Sequence, residues 1–335
     1  MSGLRIEVLG AGIIGLTVAD ELARRGHDVT VIDPRPARGA SYAAAGMLSP
    51  AAEVWHGEEE LLRLGLESLR LWPELAGRLR VELRQHGSLL VGADAGDLQQ
   101  VDRQVELLAR HGHPVEPLDR AAVREREPTL ARVAGGALLP GEASVDPREV
   151  CAALLQRVPV AAAPRGRTDV TVVATGAGLP GPFAGLVSGV RGEILRLRSD
   201  DPPTRTVRGW SAGEPVYVVP RGDGRVVIGA TSERHDGPAV VTGGGVHRLL
   251  GAARRLWPAV DRAELLETTA RDRPATADGL PLVGPSGVDG VLLAAGHHRH
   301  GVLLAPLTAQ LVVDHLETGR VDPVLDPRRP MEGMR

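Results

Sequence analysis

At 335 residues, with 43% hydrophobic side chains, the chain has apolar material for one large domain or two intimate ones. Its basic side chains number 39 against 42 acids, and the net charge of −3 argues against a general nucleic-acid binder or a protein held on acidic membranes. Lysine and asparagine are absent altogether, which excludes Schiff-base chemistry, pyridoxal enzymes and a P-loop lysine.

The first predicted elements lie in Arg5 to Asp33, RIEVLGAGIIGLTVADELARRGHDVTVID. A short apolar strand leads into Gly10, Gly12 and Gly15, then an amphipathic helix ending near Gly26, a second strand and an acid. In a Rossmann βαβ unit the first glycine makes the tight turn, the second lets backbone approach a pyrophosphate, and the third packs helix against strand. Asp33 falls where a carboxylate accepts hydrogen bonds from ribose hydroxyls. The stretch predicts a dinucleotide and leaves FAD and NAD both open. No charged leader with an apolar core precedes it, and no apolar run reaches about eighteen residues, so a soluble cytoplasmic protein is expected.

The next segment, PRPARGASYAAAGMLSPAAE, has side chains small enough to lie along a flat cofactor. Leucines recur at helical spacing from Gly57 to Arg80 until Pro73 interrupts them, and GSLLVG at 87–92 reads as a strand. A helix follows from about Asp97 to Arg110 with Leu98, Val101, Val105 and Leu108 inward. Asp119 to Glu127 reads as a short capped helix and GGALLP as a strand. Asp146 and Pro147 look like N-cap and first residue of a helix over 146–158, which makes Cys151, the sole cysteine, a helical core residue. TVVATG at 171–176 has the form of a core parallel strand ending in small residues near a ligand.

From Val190 the pattern becomes alternating strands, VRGEILRLR and then PVYVVPRGDGRVVIGAT with a GDG hairpin turn. Val216, Val218, Val226 and Ile228 share faces of this sheet. A helix over about 243–256 runs up to Trp257 and Pro258. The last third returns to α/β grammar, with a strand at 290–295, a glycine-bounded loop and a closing helix capped by Gly319; only the tail from about Pro327 reads as disordered.

Five stretches together resemble the flavin-dependent amine oxidases of the D-amino acid oxidase superfamily, most nearly its glycine oxidase branch, which serves thiazole synthesis in thiamine biosynthesis. They are GAGIIGLTVADELARRGHDVTVID, YAAAGMLSPAAE at 42–53, VYVVPRGDGRVVIGAT at 216–231, RDRPATADGLPLVG at 271–284 and AAGHHRHGVLLAP at 294–306. The resemblance implies an α/β fold: a Rossmann-like, GR2-type FAD/NAD(P)-binding domain with an inserted antiparallel-sheet α+β substrate domain. The FAD domain is expected over 1–80, 137–183 and 264–322, the substrate domain over 81–136 and 184–263, and a tail over 323–335.

By the same resemblance the cofactor is non-covalent FAD. Gly10, Gly12, Ile13, Ile14 and Gly15 address the pyrophosphate, Asp33 the ribose, and Ser41 with Ala45, Gly46 and Met47 the flavin. Gly176, Gly296, His297, His298, Arg299, His300, Gly301, Val302 and Leu303 complete the cofactor set, the run from His297 to Leu303 sitting at the N-terminus of the last helix, where amides and dipole face the flavin. Arg273 takes the position that grips the substrate carboxylate, Tyr217 hydrogen-bonds it, and Arg299 is a second arginine near the substrate. Met47, Glu53 and Ser232 line the pocket, Glu53 reading equally as a helix-capping acid. Taken singly, Tyr217 is an ordinary half-buried strand residue and each arginine a surface or ion-pair residue; the surrounding motifs decide otherwise.

His297, His298 and His300 are too close along the chain to converge on one tetrahedral ion, so no metal is expected. The sequence departs from the pattern between Val158 and TVVATG, where only PVAAAPRGRTD stands in place of a longer meander over the adenine; Val160 is the remaining adenine contact. The resemblance implies hydride transfer from the substrate Cα to flavin N5, with oxygen as acceptor and an imine, then glyoxylate, ammonia and hydrogen peroxide, as products. Glycine, sarcosine and small D-amino acids are not separated by these residues, a dehydrogenase using another acceptor and a silent dinucleotide-binding protein stay open, and so does homo-oligomerisation. No nucleic-acid or membrane partner is expected.

Overall fold

The computed structural model describes residues 3–164 and 166–331. β1 (Arg5–Leu9), α1 (Ile13–Arg24) and β2 (Asp28–Ile32) open the chain. They are followed by α2 (Ala40–Ala43), β3 (Met47–Leu48) and the long α3 (Glu59–Leu79). Next come β4 (Ser88–Gly92), α4 (Ala95–Arg110), β5 (Glu116–Asp119), α5 (Arg120–Arg126) and β6 (Gly135–Leu139). β7 (Ala143–Ser144), α6 (Pro147–Leu155), β8 (Val160–Ala161) and β9 (Val170–Val173) close the first half.

The second half carries β10 (Ser188–Arg198), β11 (Thr206–Ser211), β12 (Glu214–Pro220), β13 (Arg225–Gly229) and β14 (Glu233–Arg234). α7 (Gly243–Leu256), β15 (Glu264–Ala275), β16 (Leu282–Pro285), β17 (Val291–Ala295) and α8 (Ala305–Thr318) complete it. No helix among the described residues is long and apolar enough to cross a membrane.

Two sheets organise these elements. The first has the order β16-β17-β9-β1-β2-β8, parallel except where β16 meets β17. One face is covered by α1, α3, α6 and α8, while on the other Leu9, Val173, Leu282 and Leu293 pack against Leu179, Phe183 and Val187. Ile6, Val8, Val31 and Val172 share one core with Leu16 and Leu22 of α1, Trp72 of α3, Leu154 of α6 and Val312 of α8. The second sheet has nine strands: β14-β10-β13-β12-β11-β4-β6-β5 along its path, and β15 on the other side of β10. It is antiparallel apart from the pair β4 and β11. Val216, Val218, Val226 and Ile228 are all buried in its core with Trp257, as their alternation predicts.

Local signals explain several boundaries. Asp94, Asp119 and Asp146 cap α4, α5 and α6 by accepting the backbone N–H of Asp97, Ala122 and Arg148. Gly319 ends α8 with φ 73°, the left-handed cap that glycine adopts without strain.

Three expectations are corrected. Pro73 does not interrupt its helix: α3 runs through it, because Trp72, Leu75, Ala76 and Leu79 on either side are buried, and that burial offsets the missing N–H and the ring's clash. β15, which the chain-order division gives to the FAD domain from residue 264, pairs with β10 along its whole length and belongs to the second sheet. Within the expected glycine-bounded loop a 3₁₀ turn over His298–His300 precedes α8, whose N-cap is Leu304. The tail is ordered as far as Met331, since Leu325 is buried and its carbonyl accepts Val283 N–H at 2.8 Å, while Arg329 grips Asp278 at 2.8 and 3.0 Å. Residues 332–335 of the expected tail lie outside the described residues.

Candidate active site

A cavity of about 500 Å³ is lined by residues of both sheets. On the side of the first sheet its floor is the turn after β1. Gly10 stands at φ 103°, and a Cβ there would meet the carbonyl oxygen of Ala174 at 2.4 Å; a Cβ on Gly15 would lie 2.0 Å from the carbonyl oxygen of Gly10. Only glycine permits this approach of strand, turn and helix, as the motif predicts. Ile13 donates its N–H to Ser41 Oγ at 3.0 Å, and α1 has neither a side-chain cap on its N-cap residue nor an acid in its first turn. The next amides, those of Ile14 and Gly15, have no acceptor among the described residues and are open to an anion. Asp33, at the end of β2, accepts the N–H of Ala11 at 2.8 Å and of Arg35 at 2.7 Å, which fixes its carboxylate beside the glycine turn. A cavity floored by an uncapped helix N-terminus and a fixed carboxylate fits a dinucleotide.

On the side of the second sheet a row of side chains crosses four strands. Arg208 of β11 faces Tyr217 of β12, Tyr217 faces Gly229 of β13, and Gly229 faces Ile194 of β10; all four line the cavity. Tyr217 lies over Gly229, where a Cβ would come within 2.3 Å of its hydroxyl oxygen. Arg273 reaches from β15 across Gly192 and donates from Nη1 to the carbonyl of Thr231 at 3.1 Å. Among the described residues no carboxylate lies within 4.0 Å of Arg273, and the Tyr217 hydroxyl has no partner. Burial holds that hydroxyl above the ordinary tyrosine range, with Arg273 pulling the other way, so it is a neutral donor.

The neighbouring charges are compensated. Glu53 is not a helix cap: its Oε1 accepts from Arg208 at 3.0 Å, inside the cavity wall. Arg299 also lines the cavity, but its guanidinium is bound to the Glu58 carboxylate and to the carbonyl of Glu53. Arg273 is thus better placed than Arg299 to receive an incoming carboxylate.

The three histidines take separate directions. His297 Nε2 meets Thr308 Oγ1 at 2.9 Å in the core, and burial pushes its pKa down to about 3. His298 lines the cavity at φ 47°, pushed down to about 4 by burial and then by Arg299 and Arg273. His300 is buried behind Glu53 and held well below its ordinary value, also by burial. All three are neutral rings at neutral pH.

Of the residues singled out in the sequence, Gly10, Gly12, Ile13, Ile14, Asp33, Ser41, Ala45, Gly46, Met47, Glu53 and Gly176 line the cavity. So do Tyr217, Ser232, Arg273, His297, His298, Arg299, Gly301 and Val302. Gly15, Val160, Gly296, His300 and Leu303 do not. Leu303 serves the core instead, its carbonyl accepting from Ser68 Oγ at 2.6 Å and Trp72 Nε1 at 2.9 Å. Val160 pairs with Val31 at the sheet edge, and the next residue, Ala161, accepts the N–H of Asp33 at 2.9 Å. Sequence reasoning missed Arg208, Gly192 and Gly229. The two glycines had a signal, since an isolated glycine inside a strand pattern marks a close approach.

The sequence pattern of the FAD-dependent oxidoreductase family DAO matches residues 5–315. A Rhizobium etli protein named for thiamine biosynthesis, the oxidoreductase ThiO, is 36% identical over 335 residues, 96% of this chain and 98% of its own. Glycine oxidase of Geobacillus kaustophilus is 32% identical over 93% of this chain and 92% of its own. A crystal structure of glycine oxidase from Geobacillus kaustophilus superposes with a TM-score of 0.85 over 95% of both chains, at 30% identity.

Proposed function

The chain belongs to the DAO family of FAD-dependent oxidoreductases, which act with FAD as cofactor, and from that membership we propose that it is an amine oxidase whose substrate is glycine. One observation carries the reading: a guanidinium, Arg273, turned into the cavity and, among the described residues, without a carboxylate partner, flanked by the Tyr217 hydroxyl, likewise without a partner among them. Two such donors suit the carboxylate of a small amino acid. When bound, FAD would supply the two-electron acceptor, with oxygen as the terminal oxidant and hydrogen peroxide as its product.

The chain's own part is to bind, orient and exclude. Gly10, Gly12, Ile13 and Ile14 would hold the pyrophosphate, Asp33 the ribose, and Ser41 and Ala45 to Met47, with His297, His298, Arg299, Gly301 and Val302, the flavin. Arg273 and Tyr217 fix the substrate by its carboxylate and so orient its Cα; alignment supplies most of the catalysis and no dedicated base is needed. The imine product hydrolyses to glyoxylate and ammonia. Covalent attachment through cysteine is disfavoured, because Cys151 is buried in α6 outside the cavity and burial pushes its thiol up to about 12. The relatives named glycine oxidase and ThiO support a role in the thiazole branch of thiamine biosynthesis.

The test is anaerobic titration of the FAD-loaded protein with glycine, sarcosine, D-alanine and D-proline, followed by the flavin absorbance. Bleaching at lowest concentration by glycine is the expected result. Preferential bleaching by another of the four reassigns the substrate, and bleaching by none overturns the amine oxidase reading. Stopped-flow reoxidation by oxygen then separates an oxidase, which reoxidises fast, from a dehydrogenase.

A further inference from the structure

Behind the wall of the cavity formed by residues 43–47 lie three arginines, Arg148, Arg196 and Arg221, that are not among the residues assigned to the cofactor. Arg196 of β10 donates from Nη2 to the carbonyls of Tyr42 at 3.0 Å, Ala43 at 3.4 Å and Ala44 at 3.3 Å. Arg221, after β12, donates from Nη2 to the carbonyl of Ala45, and Arg148 of α6 from Nε to that of Tyr42 at 2.9 Å. Four successive carbonyls are thereby drawn to one side. Ala43, Ala44, Ala45, Gly46 and Met47 line the cavity, whereas none of the three arginines does.

A trans peptide directs its N–H opposite to its C=O. With the carbonyl of Ala44 on Arg196 and that of Ala45 on Arg221, the N–H groups of Ala45 and Gly46 point away from the arginines, toward the cavity. Neither has an acceptor among the described residues. Gly46 is needed for this path, since it stands at φ 74° and a Cβ there would lie 2.0 Å from the carbonyl oxygen of Val145.

The charges differ among the three. Arg148 is neutralised by Glu267 through two bonds of 2.8 and 2.9 Å. Arg221 has Asp146 at 3.7 Å, a carboxylate shared with Arg225. Arg196 is buried, has no carboxylate within 4.0 Å among the described residues, and makes all of its hydrogen bonds to backbone carbonyls. Burial, then repulsion by Arg148, pushes it down to about 10, which leaves it charged at neutral pH. A neutral donor would satisfy the same carbonyls, so the retained charge calls for a use.

We propose that Arg196, assisted by Arg221, is a positioning residue for the flavin: it turns the Ala45 and Gly46 N–H groups toward the ring and places behind them a buried positive charge that favours the ring's uptake of electrons. The inference rests on the FAD site alone and is independent of which amine is oxidised. A negative charge develops on the flavin as it is reduced, and a fixed cation and aligned amides in a low-dielectric wall stabilise that state over the oxidised one.

The experiment uses FAD-loaded wild type, Arg196→Met and Glu267→Gln, and reads sulfite affinity of the oxidised flavin, its two-electron midpoint potential and the FAD dissociation constant. No amine substrate enters, so the outcome is distinguishable from failure of the glycine reading. Arg196→Met should weaken sulfite binding about tenfold, with the midpoint lowered by about 30 mV, the equivalent of a tenfold change for two electrons. Glu267→Gln leaves Arg148 uncompensated behind the same segment and should shift both readouts the opposite way. If Arg196→Met fails to fold, the Glu267→Gln shift decides. FAD-loaded variants with wild-type sulfite affinity and potential overturn the proposal, even where FAD affinity changes, because a purely structural clamp moves only the latter.

Discussion

The guanidinium of Arg273 lies across Gly192, close enough that a Cβ on the glycine would come within 2.4 Å of Cζ, Nη1 and Nη2. The obstructed atoms are the far end of a flexible side chain, so Gly192→Ala should leave the fold intact and push the guanidinium aside. A rise in substrate KM of tenfold or more, with FAD affinity unchanged, is the expected outcome in steady-state kinetics and FAD titration.

Removing the cation itself is the stronger test of its role. Each charged hydrogen bond contributes about 1.5 to 3 kcal/mol net, so losing a two-bond grip in Arg273→Ala should raise KM by about 10² or more while FAD stays bound. Near-normal kinetics would remove Arg273 from the substrate site.

Glu53 and Arg208 form a 3.0 Å pair with side chains only 9% and 11% exposed. Breaking a buried pair from one side leaves an uncompensated charge, which typically destabilises by about 3–5 kcal/mol. Glu53→Leu and Arg208→Met should each lower the melting temperature sharply, whereas the double variant should recover most of the loss. Additive losses in thermal unfolding would mean that the pair is not coupled.

Glu142 is fully buried and its Oε1 accepts the N–H of Ala52 at 2.7 Å, one residue before Glu53. Burial raises its pKa from 4.5 to about 7. A raised folded-state pKa contributes stability that is present below the unfolded value and lost as pH rises through the folded one. Wild type should therefore lose stability between about pH 4.5 and pH 7, and Glu142→Gln should flatten that part of the profile in denaturant titrations at several pH values.

What could be read from the sequence was whatever is encoded locally. Gly10, Gly12 and Gly15 with Asp33, the Asp146-Pro147 helix start and the Gly319 cap each depend on residues a few positions apart. Tyr217 and Arg273 are singled out only because their flanking motifs resemble a family; alternation alone makes them ordinary strand residues. Features decided by long-range packing stayed hidden. Pro73 inside α3 depends on the burial of its neighbours. The Glu53–Arg208 pair joins positions 155 residues apart, and Arg196 finds the carbonyls of 42–44 from a strand that begins at Ser188. Such partners have no spacing that a linear reading could detect.

The bond from Val283 to the carbonyl of Leu325 has a colloidal consequence. β16 is the outermost strand of its sheet, and an open edge offers unpaired amides to a second molecule. By folding back, the C-terminal segment covers that edge with chain of its own, held by Arg329 on Asp278. Deleting residues from Pro323 onward should leave the cavity intact but the edge bare. Light scattering would then rise with concentration before any loss of bound FAD, as molecules associate strand to strand.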